Sequence, residues 1–344
     1  GLLDLLPPEI PVFCGKASAK LINITWMTNP DKKSEFKPQT FQSRRAFEIG
    51  PFTVTPYLMD HSAFDAHGLL IEAGGKSVFY TGDFRGHGRK GKLLDRFLDR
   101  PPRVDALLME GTMLGDRSDE ETKTESEVEA EFVRVINGTA GIVLVTASSQ
   151  NIDRVVTLFR AAKKTGRKLI IDVYTAEILD QLKAHGNLPQ PDWPGIRVCY
   201  PMFLSRHFEK LGLEKILEKH RKSGIKWTRI HEIENRVVML VKAGFLRELK
   251  KYFVLQDAAW IYSMWPGYFK ESRSLKNLKY YLDGKGVACR YIHTSGHAKV
   301  ADLKRLANAL SPKMLIPIHS FSPDRYEDHF QNVVLLENGK ILGL

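Results

Sequence analysis

"VACRYIHTSGHAKVADLKRLANALSPKMLIPIHS", residues 287–320, has the pattern of a strand, a helix and a second strand. Two histidines stand where the apolar runs end: His297 follows the first run and His319 closes the second. Strand ends open onto the rim of a sheet, where α/β proteins place chemical groups. The stretch therefore predicts an α/β fold with a site at the rim, completed by side chains from earlier in the chain.

Three earlier strand-like runs also end in a polar side chain that suits chemistry. Residues 52–60 lead to His61, residues 68–83 end at Asp83, and residues 104–110 end at Glu110. The "AGGK" turn inside the second run predicts a hairpin, because its glycines supply positive backbone angles. We expect all three runs to form strands.

The middle of the chain has a different pattern. "GIVLVTAS", "NIDRVVTLFRAAKKTG" and "RKLIIDVY" follow one another as strand, helix and strand. This order predicts parallel strands joined by a right-handed crossover. We expect a domain formed by residues 1–119 and 286–344, interrupted by an inserted α/β domain of residues 120–285.

Composition limits the class of protein. The 344 residues are 43% hydrophobic, which is enough for a substantial core, and carry a net charge of +11. A positive field attracts polyanions, so nucleic acid is a reasonable partner. No apolar run reaches bilayer length, no signal pattern is evident, and the three cysteines are widely separated. We expect a cytoplasmic protein without a membrane partner.

The five polar residues have the donor types of a zinc site. Imidazole nitrogen and carboxylate oxygen suit zinc or a similar cation, and paired ions assist phosphoryl displacement. Each residue alone is weak evidence, since a lone histidine after a strand is more often structural. The surrounding motifs are more specific: "DHSAFDAHG", "TGDF", "MEGT", "SGHA" and "PIHS". Together they resemble the metallo-β-lactamase fold and, within it, the β-CASP nucleases such as ribonuclease J.

The resemblance implies a fold, a cofactor and residue roles. The fold would be an αββα sandwich with an inserted β-CASP domain of parallel strands and helices, and the cofactor two Zn²⁺ ions. His61 and His319 would be metal ligands, one per ion, and Asp83 would bridge the ions. His297 would face the leaving group, and Glu110 would orient its imidazole. The implied reaction is hydrolysis of phosphodiester bonds in nucleic acid; we expect RNA as the substrate, although the motifs do not distinguish RNA from DNA.

The sequence departs from this family at its start. The His-x-His-x-Asp-His motif and the opening strands of the fold are absent. We expect a fragment of a nuclease that binds metal weakly and cleaves poorly by itself. The alternative is a natural loss of the motif, giving an inactive nuclease-like scaffold that pairs with a partner chain. A homo-oligomer or a complementing chain is compatible with either interpretation, and a small ester substrate is disfavoured by the basic charge.

Contacts with nucleic acid are predicted where the helix of the middle segment begins and ends. Ser149, Asn151 and Arg154 lie at its start, where backbone amides favour a phosphate, and Arg167 follows its end. The alternative is ordinary helix capping by Ser149 or Asn151. His87, in a glycine-rich loop after Asp83, is expected to line the cleft that contains the predicted metal site. The motifs leave open whether cleavage is endonucleolytic or exonucleolytic.

Overall fold

The computed structural model describes residues 2–7, 9–29, 31, 36–118 and 120–344. The chain divides into two compact units. Unit 1 comprises Gly1–Ala19, Phe36–Thr122 and Ser295–Leu344, and unit 2 comprises Lys20–Glu35 and Lys123–Thr294. Unit 1 is therefore discontinuous in sequence, and the segments of unit 2 lie between its parts. The second boundary lies nine residues after the predicted one, and a short early segment belongs to unit 2.

Unit 1 contains a six-stranded mixed sheet and a two-stranded parallel ladder. Its described strands are β1 Phe13–Gly15, β2 Gln39–Phe41, β3 Phe47–Ile49, β4 Phe52–Leu58, β5 His67–Ala73, β6 Lys76–Tyr80, β7 Ala106–Glu110 and β14 Met314–Ile318. Helices α2 Lys92–Leu98 and α12 Val300–Leu310 belong to this unit, and α1 Lys16–Met27 begins in it. The α/β class is confirmed, whereas the αββα sandwich remains a prediction.

The order of the large sheet, β14-β7-β6-β5-β4-β3, determines where its strands end. Strands β14, β7 and β6 are parallel, and β6, β5 and β4 alternate in direction. The carboxyl ends of β4, β6, β7 and β14 therefore lie at one edge. The predicted hairpin joins β5 to β6 through Gly74 and Gly75, both with positive φ.

Unit 2 is built on an all-parallel sheet of order β10-β9-β11-β8-β12-β13. Its strands are β8 Val143–Thr146, β9 Lys168–Asp172, β10 Ile196–Cys199, β11 Val237–Leu240, β12 Ala259–Tyr262 and β13 Cys289–Tyr291. Its helices are α3 Glu125–Asn137, α4 Ile152–Lys164, α5 Val173–Gln181, α6 Met202–Lys210, α7 Glu214–Lys219, α8 Trp227–Glu232, α9 Leu246–Tyr252, α10 Tyr268–Glu271 and α11 Arg273–Gly284. The central strands are buried, as their continuous apolar runs require. No described helix has the length and apolar character for a membrane span.

Residues 287–320 do not form one strand–helix–strand unit in a single sheet. Strand β13 pairs with β12 in unit 2, with Trp260 opposite Cys289, whereas β14 pairs with β7 in unit 1. The local pattern predicted each element correctly but could not say which sheet each strand would join. Pairing depends on partners distant in sequence, and this accounts for the displaced domain boundary.

A buried carboxylate in unit 2 predicts acid sensitivity. Glu177 on α5 accepts hydrogen bonds from His220 at 2.8 Å, Gln181 at 2.7 Å and Lys219 at 2.9 Å. Burial alone would raise the pKa of Glu177, but these hydrogen bonds outweigh it and lower the pKa from 4.5 to about 2. Its stabilising contribution, roughly 2–3 kcal/mol, is therefore present above pH 4.5 and lost as the pH falls toward 2.

We expect Glu177→Gln to lower the free energy of unfolding at pH 7 and to flatten its fall between pH 5 and 2. Denaturant unfolding at several pH values measures both changes. Glu232→Gln is the matched control, because the Glu232–Arg229 pair is more than half exposed and contributes little. Identical acid profiles for wild type and Glu177→Gln would contradict the assignment.

Candidate functional site

Five residues scattered along the sequence converge at the strand-end edge of unit 1. His61 follows β4, Asp83 follows β6, Glu110 ends β7 and His319 follows β14, while His297 precedes α12. Among the described residues, two groups have ligand atoms within 4.8 Å of one another: His61, Asp83 and His297, and Glu110, His297 and His319. The three histidine rings are neighbours. The ring centroid of His297 lies 5.3 Å from that of His61 and 5.3 Å from that of His319.

Glu110 is fully buried and holds in place the loops that carry Asp83 and His297. Its Oε1 accepts hydrogen bonds from the backbone N–H of Phe84 at 3.3 Å and of Ala298 at 3.1 Å. Its Oε2 accepts from the backbone N–H of Thr112 at 3.1 Å. The same Oε1 lies 3.4 Å from Nδ1 of His297. The carboxylate thus fixes the backbone next to Asp83 and His297, and it lies beside the His297 ring without a hydrogen bond to it.

His61 is held neutral by its surroundings. Burial, followed by the neighbouring His297 and Arg85, lowers the pKa of His61 to about 3. Its Nε2 is buried without a hydrogen-bond partner, and its Nδ1 accepts from the backbone N–H of Ala63 at 3.0 Å. A neutral imidazole is the form that binds metal. Coordination through Nε2 would require the proton to sit on Nδ1, so the Ala63 contact would be released.

Asp83 and His319 form the more exposed side of the site. Nδ1 of His319 lies 3.1 Å from Oδ1 of Asp83 and 2.9 Å from the hydroxyl of Thr112. Burial raises the pKa of Asp83, and this is partly offset by His297 and His319. His319 has a positive φ of 45°, which a non-glycine residue adopts only where its surroundings demand it. The backbone at the end of β14 is therefore specialised to present this ring.

The loop that carries His297 approaches the His61 loop closely at Gly296. A Cβ on Gly296 would lie 2.5 Å from Oγ of Ser62 and 3.3 Å from Nε2 of His61. A side chain at this position would collide with the opposite loop, so glycine is required in the "SGHA" motif.

Ser149 and Asn151 lie at the carboxyl end of β8, where α4 begins. Asn151 caps α4 by accepting from the backbone N–H of Arg154 at 3.1 Å, and the buried Ser149 pairs with the hydroxyl of Thr175 at 2.7 Å. Ser149 borders a cavity of about 410 Å³, lined in part by Gln150, Tyr174 and Lys242. Capping, the alternative considered from sequence, is the role that the contacts show for Asn151.

The structure does not present Arg154 and Arg167 to a phosphate. Arg154 is fully buried, forms an ion pair with Glu125 at 3.1 Å and bonds to Ser263, so its charge is already matched. Arg167 donates to the backbone carbonyls of Gly141, Ile136 and Thr139. It also precedes β9, so in a parallel sheet it lies at the edge opposite Ser149. Both arginines therefore make their contacts with other residues of unit 2.

Some site residues were not singled out from the sequence. Thr112, which contacts His319, stands in the quoted "MEGT" motif, but nothing local distinguished its hydroxyl from a helix or turn cap. His87 was expected to line the cleft; it is instead buried, and its Nε2 contacts the backbone carbonyl of Ser295 at 2.9 Å. Only the arrangement of the loops reveals this contact.

Comparison with known proteins supports the resemblance drawn from the motifs. The chain is 23% identical over 373 residues to ribonuclease J 2 of Streptococcus pyogenes, covering 100% of this chain and 63% of that protein. It is 25% identical over 346 residues to ribonuclease J of Thermus thermophilus, covering 91% and 55%. A third match, to ribonuclease J of Mycolicibacterium smegmatis, is 27% identical and covers 48% of this chain. No protein-family model matches the sequence.

The fold also has a solved counterpart. A crystal structure of a protein of unknown function from Enterococcus faecalis V583 matches with a TM-score of 0.78 and 19% identity. The match covers 98% of this chain and 76% of that one. The likeness to ribonuclease J predicted from the motifs is thus confirmed. The chain spans between about half and two thirds of the two longest-matching relatives.

Proposed function

We propose that this chain carries the catalytic core of a zinc-dependent β-CASP nuclease that hydrolyses phosphodiester bonds, in RNA in preference to DNA. The convergence of His61, Asp83, Glu110, His297 and His319 on one small site carries the proposal. The similarity to proteins named ribonuclease J supports the choice of substrate. The net charge of +11 supports a polyanion over a small neutral ester.

The donor set fits zinc. His61 and His319 would each help to hold one ion and Asp83 would serve both, since Asp83 shares a donor group with His61 and its Oδ1 lies 3.1 Å from Nδ1 of His319. The unpartnered buried Nε2 of His61 is the kind of atom that a metal satisfies. When bound, zinc supplies Lewis-acid stabilisation of phosphoryl oxygens and a more acidic water.

His297 would donate a proton to the leaving group as a general acid. Its Nδ1 lies 3.4 Å from Oε1 of Glu110 without a hydrogen bond, and a small turn of the ring would let the carboxylate accept from Nδ1–H and select that tautomer. Nε2 then remains for proton exchange with the departing oxygen. The remaining exposure of the ring, 21%, is enough for a substrate to reach it.

In unit 2, we assign a nucleic-acid contact to the segment from Ser149 to Asn151. This segment ends β8 and opens α4, where backbone amides favour an anionic group. The adjoining cavity has Gln150 on its lining, whereas Lys242, also on the lining, is already paired with the buried Asp172 at 2.6 Å. Arg154 and Arg167 have no part in this contact.

A nuclease-like scaffold is the second candidate. It is favoured by the small donor set: the proposed ligands in the described residues are His61, Asp83 and His319, with His297 beside them. Two zinc ions would ordinarily take more protein ligands than these three. Such a scaffold would bind nucleic acid and pair with a partner chain, but it would not hydrolyse nucleic acid.

Metal analysis combined with RNA cleavage separates the candidates. We expect the complete gene product to hold two zinc ions and to cleave RNA faster than DNA of the same sequence. The 344-residue chain alone should bind less zinc and cleave poorly, because its donors are few. RNA binding with a steep salt dependence but no zinc and no turnover in the complete gene product would establish the scaffold instead. Full zinc occupancy and fast hydrolysis by the 344-residue chain would contradict the expectation for it.

A further inference from the structure

A buried polar cluster joins the three loops that carry His61, Asp83 and His297. Its members are Asp60, Arg85, His87 and the backbone carbonyl of Ser295, all in unit 1. Asp60 and Arg85 are fully buried and His87 is 5% exposed. Each member stands between one and four residues from a proposed ligand or acid–base group. The cluster takes no part in the function proposed above.

The Ser295 carbonyl receives two hydrogen bonds from the Asp83 loop. Nη1 of Arg85 donates to it at 2.9 Å, and Nε2 of His87 contacts it at the same distance. Since a carbonyl oxygen only accepts, Nε2 of His87 must carry the proton. Two donors on one carbonyl occupy both of its lone pairs, which fixes the peptide in position and in orientation.

The other end of the cluster is held by Asp60. Its Oδ2 accepts from the backbone N–H of Gly88 at 2.8 Å, and its Oδ1 lies 3.7 Å from Nε of Arg85. The backbone carbonyl of Asp60 also accepts from the N–H of Arg85 at 2.7 Å. The guanidinium is thus held between the loop before His61 and the loop before His297.

His297 consequently lies between two fixed points. On one side Ser295 is held by the cluster, and on the other the N–H of Ala298 donates to Glu110 at 3.1 Å. Within the loop, the N–H of His297 donates to the hydroxyl of Ser295 at 3.1 Å. We propose that Arg85 and His87 are positioning residues that aim the His297 ring through the Ser295 carbonyl. This inference rests on the function proposed for His297.

If His87 had a merely structural role, every substitution that removes its imidazole would have the same effect on kcat and on the loop. A positioning role depends on where the N–H donor sits. The amide nitrogen of glutamine lies near the place of Nε2, whereas that of asparagine lies near the place of Nδ1 and falls short of Ser295. His87→Gln and His87→Asn are therefore a matched pair that differs in reach.

In the complete gene product, we expect His87→Asn to lower kcat by about 10- to 100-fold, because small misplacement of a catalytic group is costly. KM should stay within about twofold and zinc content should be unchanged. His87→Gln should keep kcat within about threefold of wild type. Equal kcat values for the two variants would overturn the proposal, even where wild type cleaves RNA as proposed.

Hydrogen exchange gives a readout that needs no turnover. The amides of His297 and Ala298 should exchange faster in His87→Asn than in His87→Gln, while amides of α12 keep the same rates in both. Equal exchange at His297 and Ala298 in the two variants would overturn the proposal. A wild-type protein that fails to cleave RNA would instead refute the proposed function and leave this comparison decisive for the loop.

Discussion

His319→Ala is expected to remove bound zinc and RNA cleavage together from the complete gene product. His319 lies 3.1 Å from Asp83 and belongs to one of the two groups of residues that could ligate a metal ion. Its Nδ1 also contacts the hydroxyl of Thr112. Its loss takes a donor from an already small set. Transition-state stabilisation by a metal ion amounts to several kcal/mol, so cleavage should fall on the order of 10³-fold. Metal content by emission spectroscopy and initial cleavage rates measure the two effects.

His231→Ala is the matched control for this loss. His231 undergoes the same chemical change, belongs to unit 2 and has a half-exposed side chain paired with Glu234. It should retain zinc and activity. Wild-type metal content and cleavage in His319→Ala would show that His319 is not a ligand and would remove the main support for a metal site.

Glu110→Gln is expected to lower both stability and activity while leaving zinc in place. Its Oε1 and Oε2 together accept three backbone N–H groups, from Phe84, Ala298 and Thr112. A glutamine amide would turn an N–H₂ toward at least one of these donors. Hydrogen bonds to a buried charge are worth about 1.5–3 kcal/mol each, so unfolding free energy should drop by about 2–3 kcal/mol. Cleavage should drop on the order of 10²-fold, since the loop of His297 is no longer anchored at the Ala298 N–H and the group beside Nδ1 loses its charge.

Denaturant unfolding, zinc content and cleavage rate together test this role. Glu337→Gln is the matched control, because Glu337 is 86% exposed in the same unit and its substitution should alter none of the three. Loss of zinc from Glu110→Gln without loss of stability would identify Glu110 as a ligand and contradict its assignment as an anchor.

Much of the local structure follows from the sequence because it depends on neighbouring residues. The β5–β6 hairpin needed only its glycines, and α3 begins at a capping box formed by Thr124 and Glu127. The strands that end near Asp83 and at Glu110 are recognisable as apolar runs closed by a polar residue. The motif at each strand end therefore points to side chains that the fold brings close together.

Burial and partner choice could not be read in the same way. Arg154 stands in a segment typical of phosphate contact, yet its charge is matched by Glu125, 29 residues away in sequence. Arg167 is close to Ser149 in sequence but lies at the other edge of the sheet. A basic side chain has the same appearance in a sequence whether it faces solvent or a buried carboxylate.

The sequence by itself determined the α/β class, the identity of the strand-end residues and the likeness to ribonuclease J, since these depend on local pattern and residue type. Only the tertiary structure decided that β13 joins unit 2, that Glu110 anchors two loops, and that Arg85 and His87 hold the Ser295 carbonyl. The physical reason is that strand pairing and buried hydrogen bonds join groups up to 217 residues apart. Which of the possible partners meet is fixed by packing of the whole unit.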